Sequence, residues 1–312
     1  MHHAIVFTII CSEAFFCNIL TMKDLRQITV IGLGFLGGSI TLRILRSLPG
    51  VKAIGYTHRP STRAKARRLA VATEIVDDMY ESVSGADLVI LATPIYTFEK
   101  IFSTIADALP AGCIITDVGS TKVLPHRWAA KKLPKTVHYV GSHPIAGSEQ
   151  SGVEFARDDL FDQTICILTA TTKSNHRAVQ TLKRFWSKLG CTVKLMTPAA
   201  HDKIFANISH LPHTAAAALL NSNSSKELKY AGKGFIDSTR IASGPANIWA
   251  DVLLTNAGNT TKGIDKIIAE LLKIKKAIKN HNKQQVENLL QAARNKRSAM
   301  INYKINNKEL IS

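Results

Sequence analysis

One stretch, residues 27–39 (QITVIGLGFLGGS), constrains the fold more than any other. A β-branched apolar run over 28–31 meets Gly32, Gly34 and Gly37 in the pattern GxGxxG, and a helical apolar pattern follows over 40–45. Strand, glycine turn and helix start is the context in which this pattern signals a dinucleotide site. The first glycine permits the turn, the second lets a pyrophosphate approach the backbone, and the third lets helix and strand pack closely. Phe35 and Leu36 then open a helix whose unpaired N–H groups and positive dipole end face the phosphates. A glycine-rich turn without a ligand is the competing reading.

The chain continues as strands alternating with helices. Strands are expected over 51–56, 74–76, 87–92, 113–117, 137–141, 165–169 and 193–196, with helices over 63–70, 96–109 and 175–189. After the second strand come Thr57, His58 and Arg59. An acid there would bind the ribose 2′-hydroxyl and select NAD. A guanidinium with no carboxylate favours a 2′-phosphate, hence NADP. If Arg59 only stacks on adenine, NAD fits as well. The strand over 87–92 stops at Thr93-Pro94, since proline cannot donate to a ladder. Carboxyl ends of parallel strands border the ligand crevice. Ser120, in DVGSTK, and His143, with Pro144 behind it, fall at such ends. A lone histidine is more often a packing residue. Its place beside a glycine-bearing loop and Glu149 favours a general base.

Beyond Met196 no convincing strand appears. Helices are expected over 199–209, 214–220, 248–256, 264–278 and 284–296. The expected architecture is therefore α/β: an N-terminal Rossmann dinucleotide-binding domain over 25–196, then an all-helical domain over 197–312. By analogy at the level of the fold, the helical domain closes the substrate site and supplies a dimer interface. HLPH at 210–213 puts two imidazoles three apart; a metal would need a third ligand, and none is evident. Arg240 has the fork that suits a carboxylate, with a surface ion pair as the equal alternative.

The net charge of +17 suggests nucleic acid. Much of the excess, however, lies over 273–283 and 294–308, in helical patterns with no nucleic-acid motif, and reads as solvated helix faces. Five scattered cysteines read as reduced thiols of a cytoplasmic protein. The apolar run over 5–20 is broken by Glu13, is short for a membrane span and lacks the basic start of a signal peptide. Residues 1–24 are expected to be a non-native or disordered extension, with translation starting at Met22.

In order and spacing, GLGFLGGS, ATP at 92–94, TDVGSTK at 116–122, SHPIAGSEQSG at 142–152, HDKIFANISHLPH at 201–213 and GFIDSTRIA at 234–242 resemble the prephenate and arogenate dehydrogenase family. The resemblance runs from about residue 27 past Trp249. It implies that His143 takes the proton of the substrate's C4 hydroxyl. It implies that Ser120 hydrogen-bonds that hydroxyl and the nicotinamide, and that His213 positions substrate. Glu149 would shape and gate the pocket, and Arg240 would bind a substrate carboxylate. Asp202 and Trp249 match positions near the site. A monofunctional homodimer acting on prephenate, or alternatively on arogenate, follows from it. A β-hydroxyacid dehydrogenase would need a lysine base in the helical half, where Lys203 and Lys233 look peripheral. A non-enzymatic NADP-binding protein would not need Ser120, His143 and Arg240 together.

Overall fold

Six parallel strands stand in the order β3-β2-β1-β4-β5-β6. The computed structural model describes residues 25–147 and 150–307. The strands are β1 (Gln27–Ile31), β2 (Lys52–Tyr56), β3 (Glu74–Ile75), β4 (Leu88–Leu91), β5 (Ile114–Asp117) and β6 (His138–Tyr139). Between them run α1 (Phe35–Ser47), α2 (Pro60–Arg68), α3 (Met79–Val83), α4 (Phe98–Ile105) and α5 (Val123–Lys132). β4 and β5 are buried along their whole length; β4 reads as an unbroken apolar run, and β5 ends in the buried Thr116 and Asp117. Alternate side chains feed two cores. Ile28, Val30, Leu88 and Ile90 join Ile40, Phe161 and Trp186 on one face, and Ile31, Val89 and Leu91 join Phe98, Phe102 and Ile105 on the other. The strand order reverses between β1 and β4, which puts the ligand crevice at their carboxyl ends.

The strand expected over 137–141 divides. His138 and Tyr139 form the sheet edge, whereas Gly141–Pro144 (β7) enters a second sheet of order β7-β8-β9. There β7 pairs antiparallel with β8 (Ile165–Thr169), and β8 pairs parallel with β9 (Thr192–Met196) across α6 (His176–Lys188). Gly141 allows the close passage: a Cβ there would meet Thr169 Oγ1 at 2.6 Å and Lys122 Cδ at 2.9 Å. His143 therefore lies within a strand, not beyond one.

Helices follow: α7 (Pro198–Phe205), α8 (Leu211–Asn221), α9 (Ser225–Leu228), α10 (Lys233–Thr239) and α11 (Ala246–Thr255). A π-helical turn, Ala206–His210, joins α7 to α8, so the helices expected over 199–209 and 214–220 form one run. Pro212 explains the bulge. Its ring cannot sit under the carbonyl four residues back, and the Leu211 N–H reaches Ala206 instead. α9 and α10 carry little periodic signal and have no counterpart among the helices expected from the sequence, whereas α11 matches the helix expected over 248–256. The described chain divides after Asn256. The sheets and α1–α11 make one unit, and α12 (Ala257–Lys279) and α13 (Lys283–Asn306) make a second. Among the described residues no helix is long and apolar enough to cross a membrane. Residues 1–24, including Met22, and Glu149 lie outside the described residues.

Candidate active site

The glycine turn shows three different environments. Gly32 has φ +103°, and a Cβ there would lie 2.5 Å from the Ala92 carbonyl oxygen. A Cβ on Gly37 would strike the Gly32 carbonyl. A Cβ on Gly34 would meet nothing within 4 Å. Gly34 is also the N-cap of α1, with no side chain satisfying the first N–H groups. Phe35 is buried and Leu36 half-buried at that start. Open space above bare N–H donors suits a pyrophosphate.

Around this turn, Thr57 is buried, and its carbonyl accepts from Arg63 Nη1 at 2.8 Å. Arg63 also donates from Nε to Asp77 at 2.6 Å, and Arg67 donates to the other Asp77 oxygen. Those two guanidinium groups hold the Asp77 carboxyl below its ordinary range. His58 and Arg59 are exposed at the end of β2. Thr93 is half-buried and its hydroxyl lies 2.7 Å from that of Thr97, while Pro94 is exposed.

The loop from β5 to α5 is shaped by buried Asp117. Its carboxylate accepts from the N–H of Gly119 (2.9 Å), the hydroxyl of Tyr139 (2.8 Å), the N–H of Ser142 and the ammonium of Lys122. Lys122 is fully buried, so the ion pair needs all these donors to offset its desolvation. Ser120 is half-buried on this loop.

Asp202 of α7 fastens the end of the same loop. It accepts from the N–H groups of Lys122 (2.8 Å) and Val123 (2.9 Å), the first donors of α5. Asp202 Oδ1 lies 2.8 Å from His201 Nδ1, and His201 Nε2 lies 2.9 Å from His143 Nδ1. The His201 ring stacks on Phe205 at 4.4 Å, and Phe205 also contacts His143. Burial, then the charges of His201, Lys122 and His210, hold His143 well below the ordinary imidazole range. Burial likewise lowers His201, against the pull of Asp202. It lowers His210 to about 4, although Asp202 and the Ser120 backbone act the other way. A neutral ring in this place can accept a proton.

His213 stacks on Trp249, centroids 3.6 Å apart and planes 11° apart. Gly244 passes so close to that pair that a Cβ there would strike Trp249 Nε1. Arg240 is exposed and opens the 3₁₀ turn Arg240–Ser243, which packs on α8. The turn that Arg240 opens thus lies beside His213, whose ring hydrogen-bonds to the Ile241 backbone. Lys203 and Lys233 are exposed, and Lys233 pairs with Asp237.

His201 received no role from the sequence. A signal was present: Pro198, His201, Asp202 and Phe205 share the buried face of α7, and two of the four are titratable.

The chain matches the family models described as prephenate dehydrogenase, nucleotide-binding domain, over residues 40–195, and prephenate dehydrogenase, dimerization domain, over 197–293. It is similar to the prephenate dehydrogenase of Bacillus subtilis, at 33% identity over 89% of this chain and 76% of that one. It is also similar to the cyclohexadienyl dehydrogenase of Zymomonas mobilis, at 32% identity over 82% of this chain and 90% of that one. A solved structure of the A. aeolicus prephenate dehydrogenase with hydroxyphenyl propionate and NAD+ superposes with a TM-score of 0.82. It is 32% identical, covering 88% of this chain and 98% of that one.

Proposed function

Because the chain belongs to the prephenate dehydrogenase family, we propose that it converts prephenate to 4-hydroxyphenylpyruvate by oxidative decarboxylation, as a cytoplasmic homodimer. The observation that carries this reading is the His143 ring held 2.9 Å from His201, in surroundings whose burial disfavours its charged form.

Prephenate carries two carboxylates and a ring with a C4 hydroxyl. Removing the hydroxyl proton while hydride leaves C4 builds a carbonyl, and the ring carboxylate departs as carbon dioxide as the ring becomes aromatic. The bound nicotinamide supplies the hydride acceptor. His143 takes the proton. Ser120, on the loop pinned by Asp117 and Asp202, holds the same hydroxyl in line. Arg240 binds a carboxylate and His213, braced by Trp249, orients the substrate. Glu149 takes the substrate-binding role that the family resemblance implies.

The exposed Arg59 at the end of β2, with no carboxylate beside it in sequence, supports NADP over NAD. For assembly, α12 and α13 expose Ile268, Leu271, Leu272, Ile278, Leu290 and Met300, an apolar surface a partner would cover. Prephenate and arogenate, each with NAD+ and with NADP+, assayed by nicotinamide absorbance, test the reading. The expected result is fastest turnover with prephenate and NADP+. Reduction with arogenate alone would make the amino form the substrate, and no reduction with either would end the proposal.

A further inference from the structure

We propose that His201 and Asp202 are positioning residues that determine which nitrogen of His143 is free to take a proton. The proposal rests on the reading of His143 as the base. It follows from counting donors along one chain of contacts.

Asp202 sits at the N-terminus of α5 and accepts two backbone N–H groups there. That end of a helix favours a negative group, so the carboxylate has no hydrogen to give. Its contact with His201 Nδ1 must therefore be a donation from the ring. A neutral imidazole has one N–H, so His201 Nε2 is an acceptor. The hydrogen in the 2.9 Å contact to His143 then belongs to His143 Nδ1. His143 Nε2 is left with its lone pair, the state a base needs. Reversing every donor would put an acid proton on Asp202 at the start of a helix.

The charges around the pair agree with this assignment. Lys122, His201 and His210 face His143 and disfavour a cation on it, whereas the Asp202 carboxylate lies beyond His201 and Asp117 lies beyond Lys122. When His143 Nε2 takes a proton, Nδ1 keeps its hydrogen on His201, and the Asp202 charge stands one ring away. Asp202 also holds the N–H of Lys122, two residues past Ser120. One carboxylate thereby sets both the base and the loop that carries the hydroxyl.

Asp202→Asn is the sharpest test. The amide oxygen can still accept from the Val123 N–H while the NH₂ donates to His201 Nδ1, giving up the Lys122 N–H that shares Oδ1 with His201. That inverts the chain and leaves a hydrogen on His143 Nε2. In the full-length enzyme kcat should fall by about 10²–10⁴ with little change in KM, the scale of losing a correctly poised base. His201→Gln, whose side-chain oxygen can accept from His143 Nδ1, should retain far more turnover than His201→Leu. NMR of isotope-labelled histidine in the protein without substrate should find the His143 proton on Nδ1 in the natural sequence and on Nε2 in Asp202→Asn. A natural His143 protonated on Nε2, or His201→Leu as active as His201→Gln, would overturn the proposal. If Asp202→Asn does not fold, the natural protein and the His201 pair decide. If the natural protein turns over neither cyclohexadienol, the base reading falls, while the NMR result still judges the tautomer.

Discussion

Asp202, on a helix of the second half of the chain, closes the N-terminus of a helix of the first half by accepting the N–H of Lys122 at 2.8 Å. With Val123 as the second donor, one buried carboxylate satisfies two of the N–H groups at the start of α5. Asp202→Ala removes this cap and strands His201 Nδ1 as well. The expected cost is about 2–4 kcal/mol, a lost cap plus an unsatisfied buried polar group. Urea unfolding measures it. A change under about 0.5 kcal/mol, the level of an ordinary surface substitution, would mean that the contacts contribute nothing net.

His143→Asn keeps a polar side chain but removes the basic nitrogen. Turnover of prephenate should fall by about 10²–10⁴, while the affinity for reduced cofactor, followed by fluorescence titration, stays as it was. The glycine turn and the start of α1, the expected pyrophosphate site, do not depend on His143. Near-normal turnover would remove His143 from the chemistry.

Much of this was legible in the sequence because the signals were local. GxGxxG demanded a turn, an open approach and a close packing contact, and Gly32, Gly34 and Gly37 provide them in that order. The apolar runs of β1, β4 and β5 announced strands buried on both faces. Contacts across the chain were not legible. Nothing near His143 in sequence points to a partner 58 positions away, and the split of β6 from β7 depends on Thr169 and Lys122 crowding Gly141. The π turn before Pro212 was readable in principle, but helical periodicity alone suggested two separate helices.

Arg59→Asp tests the cofactor preference. The substitution gives the end of β2 the acid that favours a free ribose 2′-hydroxyl and repels a 2′-phosphate. Loss of a charge-assisted contact of about 1.5–3 kcal/mol should raise the KM for NADP+ by roughly tenfold to a hundredfold and lower that for NAD+. Arg63 is already committed to Asp77 and to the Thr57 carbonyl, so it is a poor substitute. An unchanged NADP+/NAD+ ratio would assign Arg59 to solvent.

Acid should unfold this protein well before its carboxylates dominate. Burial lowers His126 and His210 to about 4 in the folded state, and unfolding returns each to the ordinary imidazole value near 6.5. The unfolded chain therefore binds more protons between those limits, so stability falls as pH falls. The contribution is fully present above about pH 6.5, is lost on the way down to about pH 4, and changes no further below that. Each histidine withdraws on the order of 3 kcal/mol across the window. His143 and His201, lowered by burial too, act in the same direction. Urea unfolding across this range, repeated with His210→Gln to remove one titrating group, should show a steep slope that becomes shallower in the variant. Stability that is flat or rising on acidification, or a slope identical in both proteins, would mean that these rings protonate without unfolding the chain.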